Sequence, residues 1–194
     1  MDLAGVKIGF ALTGSFCTFG RVFPQIERLL ELDAEIIPIV SKVVRETDTR
    51  FGPASCWLDR LQSLTGRAVL SEITEVEPFG PQKQLDVLVV APCTGNTLAK
   101  LANGIVDETV PFAVKAHLRN ERPVVLAVST NDGLAGNAKN IGSLLNIKNV
   151  YMVPFGQDAP ESKHNSLVAK MELIPETVAE ALDGRQIQPV IIAY

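Results

Sequence analysis

Aliphatic runs and amphipathic stripes alternate along most of this chain. Gly5–Leu12 and Ala34–Val40 read as strands, the second weakened at its centre by Pro38. Leu85–Ala91 and Pro123–Val128 are nearly unbroken aliphatic runs, the pattern of parallel strands buried on both faces. Val150–Val153 reads as a shorter fifth strand and Pro189–Ile192 as an edge. Between these runs apolar residues recur at helical spacing. The stripes are Phe23, Ile26, Leu29 and Leu30; then Leu98, Leu101, Ala102 and Ile105; then Val110, Val114 and Leu118. Ile141, Leu144 and Leu145 mark a further helix, and Val178, Ala181 and Leu182 a last one. Pro24 must occupy a first turn or kink its helix, whereas Pro111 suits an opening turn.

Strand and helix alternating in this way predict βαβ units with right-handed crossovers, an α/β protein built on a mainly parallel sheet flanked by helices. A length of 194 residues suits one domain over 1–194. Residues 154–172 are polar and without clear period, and they read as a long, mobile loop. The 46% apolar and 21% charged fractions are ordinary globular values. A net charge of −4 with scattered basic residues argues against nucleic acid or an anionic membrane as partner. The first residues, MDLAGVKIGFAL, have no basic region and too short an apolar run for a signal peptide or membrane span. Cys17, Cys56 and Cys93 are odd in number and lack CxxC spacing, so the expectation is a reduced, cytoplasmic protein without a disulfide framework or zinc site. Two histidines are too few for a convincing metal cluster.

In a parallel sheet ligands bind beyond the carboxyl ends of the strands, which directs attention to the loops there. After the first strand come Thr13, Gly14, Ser15, Phe16, Cys17 and Thr18, whose hydroxyls and backbone N–H groups could hold a phosphate or simply cap a turn. The glycines fit neither GxGxxG nor a Walker loop. Ser41 and Lys42 follow the second strand, where a dinucleotide fold would place an acidic residue for the ribose. Pro92, Cys93, Thr94, Gly95, Asn96 and Thr97 open the helix after the aliphatic run at 85–91, and Ser129, Thr130, Asn131 and Asp132 follow the run at 123–128. Apart from Asp132, these last two loops offer donors and acceptors without fixed charge, which suit the edges of a flat heterocycle and a polyol chain. No G-x-S-x-G elbow is present and neither histidine lies on a post-strand loop, which disfavours a triad hydrolase.

The stretch APCTGNTLAKLANGIVD resembles the motif of the homo-oligomeric flavin-containing cysteine decarboxylases, in which Pro-x-x-x-Asn-Thr opens a small-residue helix ending in Gly-Ile-x-Asp. Thr13, Gly14 and Ser15, with Phe16 behind them, and Ser41 match that family's FMN phosphate-side loops, while Ser129 and Asn131 fall where its later Asn-bearing loop stands. The likeness spans residues 5 to about 155 in Rossmann-like order. It implies a three-layer Rossmann-like fold, FMN as cofactor, and Thr13, Gly14, Ser15, Phe16, Ser41, Pro92, Thr94, Asn96, Thr97, Ser129 and Asn131 as its ligands. It also implies a homo-oligomer, a trimer or a dodecamer. VSKVVRETDTRFG and VPFGQDAPESKHNSLVAKM are similar to one branch of the family in spore-forming bacteria. Members of that branch act with a separate NAD(P)-binding A chain to oxidise a dihydrodipicolinate-type compound to pyridine-2,6-dicarboxylate.

Two departures matter. Residues 41–75 contain no histidine, where the family's decarboxylases carry their catalytic base, and Ser-Thr-Asn-Asp replaces a Pro-Ala-Met-Asn motif at 129–132. Arg45, Arg50 and Lys163 are candidate cations for a dicarboxylate substrate. His164 is a weak candidate base, and the catalytic group is otherwise unassigned. Three readings stay open at this point: a flavin-dependent oxidoreductase subunit, a flavin-dependent decarboxylase or prenyl-flavin-type transferase, and a scaffold without chemistry for a partner enzyme.

Overall fold

The computed structural model describes residues 2–193. Strand β1 (Lys7–Leu12) leads through a 3-10 turn (Phe16–Thr18) into helix α1 (Phe19–Glu31), followed by β2 (Glu35–Val40). Four helices come next: α2 (Lys42–Glu46), α3 (Ala54–Thr65), α4 (Ile73–Val76) and α5 (Phe79–Gln82). Strand β3 (Val87–Cys93), helices α6 (Gly95–Ala102) and α7 (Thr109–Leu118), strand β4 (Val124–Thr130), helix α8 (Ala138–Leu145) and strand β5 (Val150–Met152) form the second half of the parallel array. Two short strands, β6 (Phe155–Gly156) and β7 (Leu167–Ala169), and helix α9 (Ile174–Leu182) complete the chain.

The seven-stranded sheet runs in the order β2-β1-β3-β4-β7-β6, with β5 paired to β4 off that path. Strands β1 to β5 are mutually parallel, while β6 and β7 join antiparallel. The two aliphatic runs occupy the centre: Val87–Ala91 and Val124–Val128 are fully buried. Helices α1 and α9 pack together on one face, and α6 and α7 pack against strands on the other. This is the three-layer, mainly parallel α/β architecture that the alternating pattern predicts.

Strand β4 divides its partners along its length. Val124–Leu126 pair with Val150–Met152 of β5, whereas Ser129 and Thr130 pair with Val168 and Leu167 of β7. The sheet therefore forks at the carboxyl end of β4, and β7 brings the 157–166 loop over that end. Both short strands lie in the stretch 154–172 that reads from sequence as loop. Pro38 sits in β2 at one end of the sheet order, where its missing N–H leaves only a single bridge, Ile39 to Leu70, on the outer side.

Three sequence expectations change in detail. Pro24 lies at the sixth residue of α1 because the helix begins at Phe19, four residues before the apolar stripe. The stripe ending at Ile105 is cut short: α6 stops at Ala102, Gly104 takes a positive φ of 67°, and Ile105 is left 47% exposed. The edge strand at 189–192 reduces to one bridge from Ile191 to Phe155, since β6 offers only two residues to pair with.

Candidate functional site

The carboxyl ends of β1, β3 and β4 are tied to one another by side chains from their own loops. The Thr13 hydroxyl donates to the Pro92 carbonyl at 2.6 Å and accepts the Thr94 N–H at 3.0 Å. Ser15 Oγ and Ser129 Oγ lie 2.8 Å apart, which joins the β1 loop to the β4 loop across β3. Thr94 caps α6 through the Thr97 N–H at 3.4 Å and shares a 3.0 Å hydroxyl contact with Thr97. A helix opening here follows from the residue types: a hydroxyl cap, then glycine, then the Leu98 and Leu101 stripe.

Two clefts border this knot. The larger, about 830 Å³, is walled by the β1 loop at Gly14 and Ser15, the α6 start at Thr94–Asn96, the β4 loop at Ser129–Asp132, and Lys163 from the loop before β7. The smaller, about 500 Å³, lies between Thr13 and Gly14, Ser41 and Lys42 of the β2 loop, and Thr94, Asn96 and Thr97. Gly14, Thr94 and Asn96 line both. Asn96 is exposed, and its side-chain amide has no hydrogen-bond partner among the described residues. Ser41 is buried, and its Oγ has no partner either.

The residues named as cofactor ligands from sequence fall into place unequally. Gly14, Ser15, Thr94, Asn96, Ser129 and Asn131 line the larger cleft, and Thr13, Ser41 and Thr97 the smaller. Thr13 is 1% exposed and its hydroxyl is engaged within the protein as both donor and acceptor. Pro92 contributes a backbone carbonyl to that same link, and Phe16 packs on Phe19 with ring centroids 5.1 Å apart. Of the three cations, Lys163 lines the larger cleft, paired to Asp158 at 3.2 Å. Arg45 is engaged with Glu46 and Glu72, and the Arg50 guanidinium lies 4.9 Å from the Phe51 ring centroid; neither lines a cleft. His164 is exposed, and its Nδ1–H donates to the Pro160 carbonyl at 2.8 Å, outside the residues lining either cleft. Cys93 is fully buried, and burial pushes its thiol well up, out of reactive range.

One group, the charged exception among these loops, does more than loop composition indicates. Asp132 accepts from the Thr130 hydroxyl and from Asn137 Nδ2, the latter at 2.9 Å to each carboxylate oxygen. Asn137 in turn accepts from Asn140 at 2.8 Å, and Asn140 from Asn103 at 3.5 Å. The Thr130 hydroxyl, followed by the Asn137 amide, holds the Asp132 carboxyl below its usual range against the opposing cost of burial. This cluster presses on the α6 start: a Cβ on Gly95 would lie 2.5 Å from Thr130 Oγ1, 2.6 Å from Asn137 Nδ2 and 3.0 Å from Asp132 Oδ1. The only sequence signal for it is the pair Asn137 and Asn140, one helical turn apart behind an aspartate.

Known proteins share both the sequence and this architecture. A family model described as Flavoprotein matches residues 1–182. The chain is 48% identical over 191 residues to the B subunit of dipicolinate synthase from Bacillus subtilis (strain 168), covering 98% of this chain and 96% of that protein. A crystal structure of the same B subunit from Bacillus halodurans superposes with a TM-score of 0.92 at 49% identity, covering 100% of this chain and 99% of that one. The FMN-dependent cysteine decarboxylase SpaF shares the fold, with a TM-score of 0.69 at 22% identity over 94% of this chain and 98% of that one. With a family model across nearly its whole length and a relative of this identity, the chain belongs to the Flavoprotein family.

Proposed function

We propose that this chain is the FMN-binding B subunit of a dipicolinate synthase, a homo-oligomer acting with an NAD(P)-binding A subunit. Together they would oxidise a dihydrodipicolinate-type compound to pyridine-2,6-dicarboxylate during sporulation. The observation that carries the reading is the buried, unpartnered Ser41 hydroxyl at the wall of a cleft on the carboxyl edge of the sheet. A buried hydroxyl left unpaired costs about 1–3 kcal/mol, and a phosphate oxygen entering that cleft would relieve it. Clefts of about 500 and 830 Å³ are of the size that holds a cofactor. Their donor set of Ser15, Asn96, Ser129 and Asn131 is uncharged and fits a polyol chain and a heterocycle rim.

When bound, flavin supplies the two-electron acceptor chemistry that side chains lack. The chain's own residues bind and orient. Ser41 and Lys42 would receive the phosphate, Asn96 would reach into either cleft, and Lys163 would meet a substrate carboxylate. The missing histidine at 41–75 supports this reading over cysteine-type decarboxylation. The test is FMN titration of the purified chain by fluorescence quenching, then pyridine-2,6-dicarboxylate formation with each chain alone and with the two together. FMN uptake, with product formed only when both chains are present, is the expected result. A chain that takes up no FMN overturns the cofactor assignment, and equal rates without this chain leave it a scaffold.

A further inference from the structure

The larger cleft contains a fixed anion that the cofactor reading does not use. Asp132 lines that cleft, and every described partner of its carboxylate is uncharged. A carboxylate offers about four acceptor sites; Thr130 and Asn137 occupy two on Oδ1, and Asn137 occupies one on Oδ2. The open acceptor site is therefore on Oδ2. The group cannot turn away from the cleft, because Asn137 spans both of its oxygens and is itself buried and held by Asn140. Its place against the α6 start also matters. A negative group there is favoured by the helix dipole, so this end of the cleft is already occupied by an anion and repels a second one. Arg21 and Lys163 line the same cleft, but Arg21 is paired to Glu172 and Lys163 to Asp158, which also lines it, so Asp132 is the lining carboxylate without a charged partner.

From this polarity we infer that Asp132 is a ligand-recognition residue that accepts a hydrogen bond from the N–H edge of a flat nitrogen heterocycle in the larger cleft. The inference rests on the reading of the site as a flavin and dicarboxylate site. Two ligands offer that chemistry: the pyrimidine N–H of FMN and the ring N–H of the reduced substrate.

The test uses the full-length protein, wild type and Asp132→Asn, with FMN, 3-methyl-FMN (which lacks the pyrimidine N–H), 4-oxo-1,4-dihydropyridine-2,6-dicarboxylate (flat, with a neutral ring N–H) and pyridine-2,6-dicarboxylate (flat, without one). Loss of a hydrogen bond to a charged acceptor corresponds to roughly a ten- to hundredfold change in affinity. If the flavin is the donor, wild type binds 3-methyl-FMN that much more weakly than FMN, and the variant no longer distinguishes the two. The midpoint potential of the variant's bound flavin also moves upward, since a nearby anion has been removed. If the substrate is the donor, FMN affinity is unchanged and only 4-oxo-1,4-dihydropyridine-2,6-dicarboxylate weakens on the FMN-loaded variant. The 3-methyl-FMN comparison on wild type and a direct titration of both dicarboxylates need no variant, so a misfolded Asp132→Asn does not leave the question open. A wild type that binds FMN and 3-methyl-FMN equally, and the two dicarboxylates equally, overturns the role of Asp132 and leaves the flavin reading standing. A wild type that takes up no FMN removes both.

Discussion

Thr13 shows how a residue's place can depart from its type. A threonine after the first strand suggests a phosphate ligand, yet its hydroxyl is engaged between the Pro92 carbonyl and the Thr94 N–H. Thr13→Val should leave both of those buried groups short of a partner and destabilise the protein by about 1–3 kcal/mol, whereas Thr13→Ser should retain most of the stability. Urea unfolding of the two variants checks this, and equal losses would refute the hydroxyl's role. His117 supplies a second residue-scale test. Its Nε2–H donates to the Pro123 carbonyl at 3.1 Å, and burial, with a smaller push from Arg122, lowers its pKa from 6.5 to about 4. The unfolded chain therefore takes up this proton first as pH falls. The stabilisation is complete above about pH 6.5 and is lost between there and about pH 4, on the order of 3 kcal/mol in all. Urea midpoints at about pH 7.5 and pH 5 should differ in wild type, and the difference should shrink in His117→Gln.

Among the elements, helix α6 carries the site, and Gly95 sets how closely it approaches β4. A methyl group there would lie 2.5 to 3.0 Å from three polar atoms of the Thr130, Asn137 and Asp132 cluster. Gly95→Ala should push α6 off the β4 loop, cost about 1–3 kcal/mol and weaken FMN uptake at least tenfold. Unchanged FMN affinity in a folded variant would show that α6 does not frame the cofactor. The elements that were legible in the sequence are those whose stability comes from local burial. The Val87–Ala91 and Val124–Val128 runs are buried on both faces, so composition alone marks them as strands. Helix α3 has a weaker signal of the same kind: Trp57, Leu58, Leu61 and Leu64 recur at helical spacing and pack on the core, but only Ala54 and Leu61 of its twelve residues are fully buried. Strands β6 and β7, two and three residues long, exist through pairing with β4 and one another, which local pattern does not encode. The site divides similarly. Its loops could be read because every parallel strand ends at the same edge. The Ser15–Ser129 and Asp132–Asn137 contacts could not, since they depend on how the β1, β4 and α8 segments meet.

At the scale of the whole molecule, the face opposite the shared strand ends remains to be accounted for. A mainly apolar groove of about 410 Å³ runs between α7 and α8 over the amino-terminal half of β4, lined by Leu101, Ile105, Val114, Leu118, Leu144 and Ile147 among others. Ile105 and Ile147 of this lining are 47% and 39% exposed, as is Leu145, the neighbour of Leu144 in sequence, at 45%, and Ile105 owes its exposure to the end of α6 at Ala102 and the turn at Gly104. Isolated exposed aliphatics are common, but several around one groove are characteristic of a contact surface. The proposed homo-oligomer gives them an occupant, a second copy of this chain, whose apolar contact would be stabilised by roughly 25 cal/mol for each Å² removed from water. Light scattering on the purified chain should then give a mass three or twelve times that of one chain. Ile105→Lys combined with Ile147→Lys should lower it, because two desolvated ammonium groups in an apolar contact cost more than the contact returns. FMN affinity provides the internal control: Asn96, Ser41 and Asp132 lie away from this groove, so a dissociated double variant that still binds FMN would show that each chain completes its own cofactor cleft. A wild type that is monomeric at tens of micromolar would exclude the assembly and leave the groove without that partner.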